Sequence, residues 1–408
     1  MATVRPFRAL RPTPAEAERI AAVPYDVVST DEARALAGGN RLSFLHVSRA
    51  EIDLPPGTDV YGDEVYRQAA ANFAALKPAL IIEDEPSVYL YRLRVGGHQQ
   101  TGLAGCYSLD EYDRHVIRKH ERTRRDKEDD RTRHMLALGA QTGPVLLTYR
   151  ANVDIDGATR RLTREEPIVD FAAADGVRHM VWRVGGPDRD ALVALVRDVP
   201  ALYIADGHHR AASAARARVE IDRQRPAPGA STGDAAHSTF LGVAFPDTEM
   251  RILPYNRVVK DLGGLAPADF LGALRDRFEV EPGSSPLPDR GRVAMYFQGV
   301  WRWLRPRTVP DPSDAVGSLD VSVLQDQVLS PVLGIEDVRT DKRIDFVGGR
   351  GTGELQALVD SGRAAVAFSL HPVSVDDLMR VADTGAMMPP KSTWFEPKLR
   401  DGLLIHVI

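Results

Sequence analysis

The sequence of 408 residues contains one cysteine, Cys106. A single cysteine excludes an intramolecular disulfide and any zinc or iron–sulfur site built from several cysteines, and it suits a reducing compartment. No apolar run approaches the roughly 18 residues that a membrane span needs. The opening stretch "MATVRPFRALRPTPAEAERIAA" also lacks the apolar core of a signal peptide. From these absences we expect a cytoplasmic globular protein with no membrane partner.

An excess of positive charge is also missing. The formal net charge is -5 at pH 7, which gives no general attraction to nucleic acid. We see no helix-turn-helix pattern and no HExxH zinc motif, and we therefore predict no nucleic-acid partner. The apolar content of 43% and the charged content of 27% are those of an ordinary globular protein.

The length favours two domains over one. We predict a nucleotide- and substrate-binding catalytic domain over residues 1–260 and a C-terminal α/β domain over residues 261–408. A Pro- and Gly-rich stretch at 224–238 predicts a loop.

Apolar, β-rich segments alternate with segments of helical periodicity, which predicts an α/β fold of mixed α+β character. The predicted strands cover 87–95, 143–150, 179–184, 201–205, 238–245, 292–303 and 364–370. The predicted helices cover 63–76, 130–140, 188–199, 208–222, 267–278 and 352–362.

The stretch "ALYIADGHHRAASAARAR" (201–218) carries the strongest functional signal. Its apolar start predicts a strand, its alanines and arginines predict a helix, and Asp206–Gly207 forms the turn between them. A helix that begins there directs N–H groups and the positive end of its dipole at the space above the turn. Together with His208, His209 and Arg210, this predicts a pocket for phosphate or carboxylate.

Two other interpretations of this stretch remain. Consecutive helical residues lie about 100° apart, so His208 and His209 are poorly placed to share one metal ion. Asp206 could still hold Mg²⁺, which prefers oxygen ligands. The plainest alternative is an N-capping Asp206 followed by two exposed histidines.

A second constellation, "IRKHERTRRDKEDDRTRH" (117–134), consists almost entirely of charged residues. For most of them a solvated helix face is the default. Glu121, which precedes a short predicted helix, could act as general base on a hydroxyl nucleophile. Arg122, Lys127 and Arg131 could neutralise phosphate oxygens, and Arg118 and Arg125 could contribute as well.

These motifs carry a family resemblance. The chain resembles the bacterial and archaeal family called domain of unknown function 1015 in "VPYDVV", "HERTRRDKEDDR", "GAQTGPVLL", "DGHHRAASA", "ILPYNRVVKDL" and "MPPKSTWFEPKLRDGL". The order "GPVLLTYR", later strand, "IADGHHRAASA" looks like the ParB/sulfiredoxin fold. The "DGHHR" preceded by "HE" is most similar to the ParB-like kinases of free L-serine.

The resemblance implies a serine kinase-like phosphotransferase that uses ATP or ADP with Mg²⁺. Glu121 matches the base acting on the substrate hydroxyl, and Asp206 matches the aspartate near the transferred phosphoryl group. His208, His209 and Arg210 match the phosphate-binding segment, to which Gly207 belongs, and His209 is counted as catalytic. The chain departs from these small kinases by about fifty residues between the two motifs and by an added C-terminal region.

A second hypothesis from the same resemblance is a ParB-like regulatory switch that binds nucleotide with slow or no hydrolysis. The expected partners are a nucleotide and a small amino acid, and a homodimer is a further candidate. A sulfiredoxin-like role is disfavoured because the phosphate-binding turn has no nearby cysteine.

Two further groups of polar residues are open to a binding or a structural role. Tyr25, Asp26, Asn40, Arg49 and Glu51 could recognise the ammonium and carboxylate of an amino acid, or cap strands. The Pro-rich loop that carries Lys391, Ser392 and Lys398 could close over a site or lie on the surface.

Overall fold

A computed structural model describes residues 1–224, 235–349 and 351–408; the predicted loop at 224–238 lies mostly outside these ranges. The chain forms two compact units. The first unit holds Met1–Lys119, Thr123–Met250 and Pro397–Ile408, and the second holds His120–Arg122 and Arg251–Glu396. Among the described helices, none has the length and apolar composition needed to cross a membrane.

Helices and strands alternate along much of the chain, which confirms the predicted α/β class. The strands are β1 Val4–Arg5, β2 Leu10–Pro12, β3 Leu80–Ile82, β4 Val88–Val95, β5 His98–Ser108, β6 Ile117–Arg118, β7 Ala140–Gln141, β8 Val145–Tyr149, β9 Val169–Ala172, β10 Arg178–Val184, β11 Leu202–Asp206, β12 Thr239–Pro246, β13 Ile252–Leu253, β14 Tyr255–Val259, β15 Phe278–Pro282, β16 Val293–Phe297, β17 Val300–Pro306, β18 Ile344–Gly348, β19 Val366–Leu370, β20 Trp394–Phe395 and β21 His406–Val407. The helices are α1 Ala17–Ile20, α2 Thr30–Ala37, α3 Leu45–Ser48, α4 Asp63–Leu76, α5 Leu109–Asp113, α6 Arg125–Leu138, α7 Val153–Leu162, α8 Gly186–Val196, α9 His208–Gln224, α10 Pro267–Arg277, α11 Asp320–Leu324, α12 Gly351–Asp360 and α13 Val375–Asp383.

The first unit is built on a mixed sheet, whose described strands run in the order β6-β11-β8-β12-β5-β4-β10-β9, with β1 paired to β5. Strand β11 runs parallel to β6 and antiparallel to β8, and β8 runs parallel to β12. Every residue of β8 and β12 is buried, which matches their largely apolar sequences. The predicted phosphate-binding turn directly follows β11, which lies next to the edge strand β6.

Helix α9 follows β11 and packs against α6. The first half of α9 is rich in small residues, which allow this close packing, and Ala211 and Ala214 are fully buried. The two helices are also joined by an ion pair between Arg216 and Glu128 (3.2 Å). Helix α6 ends at Gly139, whose φ of 61° is the left-handed conformation common at helix C-termini. This packing fixes the charged helix beside the helix that begins at the turn.

The last twelve residues of the chain belong to the first unit. Strand β21 pairs with β7, Ile405 forms a bridge with Leu10, and Asp401 forms a bridge with Ala22. These backbone pairings place a C-terminal segment, residues 397–408, inside the unit that the sequence analysis assigned to residues 1–260.

The second unit is a six-stranded antiparallel sheet in the described ranges, in the order β15-β17-β16-β19-β14-β18. It begins directly after Met250, because β13 and β14 already pair with β20, β18 and β19. The boundary therefore lies ten residues before the predicted one. The two units therefore differ from the predicted domains in the position of this boundary and in the assignment of residues 397–408 to the first unit.

Candidate functional site

The turn between β11 and α9 lies where the sequence predicts it. Strand β11 ends at Asp206, Gly207 has a φ of +92°, and α9 begins at His208. Only glycine adopts such a φ without strain. A Cβ at position 207 would also lie 2.9 Å from Nε of Arg210. The turn therefore needs glycine both for its backbone conformation and for the close approach of a guanidinium.

Asp206 is held by donors on both of its carboxylate oxygens. Oδ1 accepts from the N–H of Gly207 at 2.9 Å, and Oδ2 accepts from Nζ of Lys398 at 3.1 Å. The Arg210 guanidinium lies 3.8 Å from the same Oδ2. Burial by itself would raise the pKa of Asp206, but Lys398 and Arg210 outweigh burial and hold the pKa below its usual value. Asp206 is thus an ionised residue with two cationic neighbours.

Arg210 is a buried cation at the centre of the turn, with 5% of its surface exposed. Burial would lower its pKa, but the carboxylates of Asp26, Asp206 and Asp401 outweigh it and raise the pKa. Nη1 donates to the carbonyl of Pro144, which precedes β8. Arg210 therefore joins the "GPVLL" and "DGHHR" motifs in space.

The two histidines of the motif have different surroundings. His208 is buried, whereas His209 is partly exposed. The N–H of Arg124 donates to Nε2 of His209 at 3.0 Å, so the neutral ring carries its proton on Nδ1. This bond brings the charged segment that precedes α6 to the first turn of α9.

The predicted cations of that segment are directed to different partners. Nζ of Lys127 donates to the Tyr61 hydroxyl at 2.7 Å. Arg131 pairs with Asp130 at 2.8 Å and stacks on the ring of Tyr25 at 4.1 Å. Arg131 and Arg210 line one cavity, so the structure brings these two predicted residues together. Lys127 is not among the lining residues of this cavity.

Glu121 and Arg122 belong, with His120, to the second unit. There the carbonyl of His120 accepts from the N–H of Met388 at 2.8 Å. Glu121 is partly buried and Arg122 is exposed. Their roles in catalysis and phosphate binding stay predictions.

The cavity beside Arg210 has a volume of about 20 Å³, room for about one water molecule. Most of the residues that line it have polar side chains; the lining comprises Tyr25, Ser48, Arg131, His134, Met135, Thr142, Gly143, Arg210 and Asp401. Burial raises the pKa of Asp401 to about 7, against the charge of Arg210. The buried Oδ1 of Asp401 has no hydrogen-bond partner in the described part of the chain.

Sequence reasoning missed Asp401 and placed Lys398 in a loop that could close over a site or lie on the surface. Both stand in "PKLRDG", where charged residues interrupt an otherwise apolar C-terminal stretch, and that pattern was the available signal. Between them, Nε of Arg400 donates to Nε2 of His179 at 3.1 Å, and Arg400 forms an ion pair with Asp175. The anchored Arg400 fixes the positions of its two charged neighbours.

Substituting alanine for Gly207 tests the tight turn. We expect a loss of about 1–3 kcal/mol in the free energy of unfolding, because Ala strains the backbone and presses on Arg210. Denaturant unfolding measures this loss. Gly139→Ala is the matched control, since Gly139 also has a positive φ (61°) but nothing within 4 Å of its would-be Cβ. Equal stability of the two variants would contradict the role given to the contact with Arg210.

With this geometry in place, the comparison with protein families identifies the chain. The profile of the family described as "Protein of unknown function (DUF1015)" matches residues 4–322. The chain belongs to the DUF1015 family. This confirms the family resemblance, and the matched range includes the turn at 206–210 and every quoted motif except "MPPKSTWFEPKLRDGL". The C-terminal segment, with Lys398 and Asp401, lies beyond the range matched by DUF1015.

Similar solved structures are distant from this DUF1015 chain. A free serine kinase in complex with AMP has 12% identity and a TM-score of 0.36, covering 74% of this chain and 92% of that one. A conserved hypothetical protein from Pyrococcus furiosus has 13% identity and a TM-score of 0.36, covering 74% and 94%. SbnI with a C-terminal truncation, from Staphylococcus aureus, has 12% identity and a TM-score of 0.40, covering 73% and 85%. The comparison with curated proteins gives no match.

Proposed function

We propose that the Asp206–Arg210 turn binds the phosphates of a nucleotide, and that the protein transfers a phosphoryl group to the hydroxyl of a small metabolite, with free L-serine as the first candidate. The observation that carries the proposal is the glycine turn at the start of α9, against which the buried, ionised Arg210 lies. The donor nucleotide is ATP or ADP.

Several features of the turn suit an anion. Lys398 and Arg210 place two positive charges next to Asp206, and Asp26 and Asp401 are the further carboxylates around Arg210. The first turn of α9 adds the positive end of a helix dipole. Phosphate groups bind to this combination of helix N-terminus and fixed cations in many unrelated proteins. His208 and His209 complete the proposed phosphate-binding segment.

Glu121 is the proposed general base. The family resemblance gives it this role, through the "HE" that precedes "DGHHR" in the sequence. In the proposed step the hydroxyl oxygen of serine attacks the terminal phosphorus and its proton passes to the Glu121 carboxylate. The bond between that phosphorus and the nucleotide breaks, which leaves ADP from ATP or AMP from ADP. Positioning and charge stabilisation supply most of the rate in such transfers.

The remaining predicted cations have secondary roles in the proposal. Arg122 would neutralise phosphate oxygens. Lys127 and Arg131 already have protein partners in Tyr61 and Asp130. We therefore assign Arg131 to positioning Tyr25 and the cavity rather than to direct contact with phosphate.

The predicted Mg²⁺ fits poorly at Asp206. Mg²⁺ is bound through carboxylate and phosphate oxygens with several waters. Both oxygens of Asp206 already accept hydrogen bonds, one of them from a lysine ammonium that would repel a metal ion. No step of the proposed reaction is assigned to a metal on this carboxylate.

The direct test is to incubate the purified protein with L-serine and either ATP or ADP, with MgCl₂ in the buffer. Mass spectrometry should detect O-phosphoserine in equal amount to the ADP or AMP formed. Omission of serine, and replacement of serine by alanine, which has no hydroxyl, are the controls. Nucleotide binding without any product would instead favour the regulatory switch, and the absence of binding at millimolar nucleotide would contradict both functions.

A further inference from the structure

Lys398 reaches the turn from the other end of the sequence. Its Nζ donates to Oδ2 of Asp206 at 3.1 Å across 192 positions of the chain, and 13% of its side chain is exposed. The matched range of the family profile ends at residue 322. Asp206 therefore lies inside the matched range, and Lys398 lies outside it.

The backbone that carries Lys398 is fixed by its surroundings in the first unit. Arg400 is 4% exposed and bonded to His179 and Asp175. The backbone of Asp401 pairs with Ala22 in both directions, at 2.9 and 3.1 Å. Because this segment is anchored within three residues of Lys398, the ammonium is held at the turn at little further entropic cost.

The turn also has a donor without an acceptor. Nε of Arg210 is buried and has no hydrogen-bond partner among the residues that the structure describes. It lies against Gly207, where a Cβ would be 2.9 Å away. A buried N–H without an acceptor is costly, so an anionic ligand at the turn would satisfy it.

Asp206 is a poor ligand for a metal ion because both of its oxygens already accept hydrogen bonds. This suggests different roles for Asp206 and Lys398. Asp206 accepts a hydrogen bond from the Lys398 ammonium, which holds that charge at the turn. As a compact point charge, lysine is a common phosphate ligand. Asp206 then acts as the residue that positions Lys398, and lysine supplies the cation that the sequence analysis expected from Mg²⁺.

We propose that Lys398 is a phosphate-binding residue, positioned by Asp206, and that nucleotide binding at this turn does not require a divalent cation. This inference rests on the proposed function only in that a nucleotide is the ligand of the turn. It adds a residue from the C-terminal segment to the site and gives that segment a role in binding.

The experiment is isothermal titration of the full chain with ADP, once in EDTA and once in Mg²⁺. We expect the wild type to bind ADP in EDTA with nearly its affinity in Mg²⁺. Lys398→Met and Lys398→Gln should each weaken binding in EDTA by about tenfold or more, since a charge-assisted hydrogen bond is lost. Lys398→Arg should restore most of the affinity. Lys77→Met, at an exposed lysine in the same unit, is the control and should bind like the wild type.

Each outcome decides the inference. Wild-type binding that requires Mg²⁺, or glutamine and methionine variants that bind like the wild type, would overturn it. Circular dichroism and thermal melting show whether each variant is folded. Lys398→Gln, whose side chain is polar and uncharged, is the variant to use if Lys398→Met does not fold. ADP binding with the expected Lys398 dependence but no phosphoserine would refute the kinase and leave the role of Lys398 standing. No ADP binding in either buffer would refute both.

Discussion

Replacing Glu121 with glutamine should lower the rate of phosphoserine formation by about 100-fold or more, while ADP binding changes little. An amide has nearly the shape of a carboxylate but cannot accept the proton of the attacking hydroxyl. The defect should therefore appear in kcat rather than in nucleotide affinity. Steady-state kinetics with mass-spectrometric detection of phosphoserine and titration with ADP measure the two quantities separately.

Two comparisons make this result specific to Glu121. Glu64→Gln removes an exposed carboxylate on α4 in the first unit and should leave both kcat and ADP affinity unchanged. Glu121→Asp keeps a base on a shorter side chain and should keep part of the rate. A Glu121→Gln enzyme with wild-type kcat would show that another group takes the proton.

Replacing Arg210 with methionine should have the largest effect on stability. The free energy of unfolding of the first unit should fall by about 3–5 kcal/mol, because buried carboxylates near Arg210 lose their cation. Asp206, Asp401 and Asp26 are the carboxylates that raise the pKa of Arg210. Denaturant unfolding of the variant measures the loss, and ADP titration should detect no binding, since the turn loses its fixed guanidinium.

The double variant Arg210→Met with Asp401→Asn separates the two effects. Replacing Asp401 should recover part of the lost stability, and more of it at alkaline than at neutral pH, because the pKa of this buried carboxyl is about 7 with Arg210 present and rises further without it. It should not recover ADP binding. An Arg210→Met variant that melts with the wild type would contradict the assignment of Arg210 as the central buried charge.

Local sequence patterns predicted the elements around the turn well. The strand at 201–205 and the helix at 208–222 correspond to Leu202–Asp206 and His208–Gln224. Here apolar burial, helix propensity and a glycine at positive φ all favour the same structure. The helix predicted at 130–140 in fact begins at Arg125. The prediction missed its first turns because their charged residues show no apolar periodicity.

Strand β5 was missed although it is central in the sheet of the first unit. It contains two glycines, which lower the strand signal. A Cβ at Gly102 would lie 2.7 Å from Val243, and one at Gly105 would lie 2.4 Å from Val4. The glycines are there because neighbouring strands bring large side chains over β5, which a single-sequence pattern does not reveal. The predicted strand at 292–303 is in fact a hairpin that turns at Gln298–Gly299.

The C-terminal part of the site could not be predicted from local pattern. Lys398 meets Asp206 only because β21 pairs with β7 and Arg400 bonds to His179, and these contacts join residues more than 200 positions apart. Composition and periodicity carry no information on such pairings. The sequence therefore indicates the proposed phosphate-binding turn, while the C-terminal segment 397–408 supplies a second cation and a buried carboxyl group.

The central claim is that the Asp206–Arg210 turn holds nucleotide phosphates. A crystal structure of the protein with ADP tests it most directly. We predict that the terminal phosphate lies at the first turn of α9, within hydrogen-bond distance of Arg210 and Lys398. ADP bound elsewhere on the chain, with Lys398 and Asp206 paired as before and no phosphate at the helix, would contradict the claim.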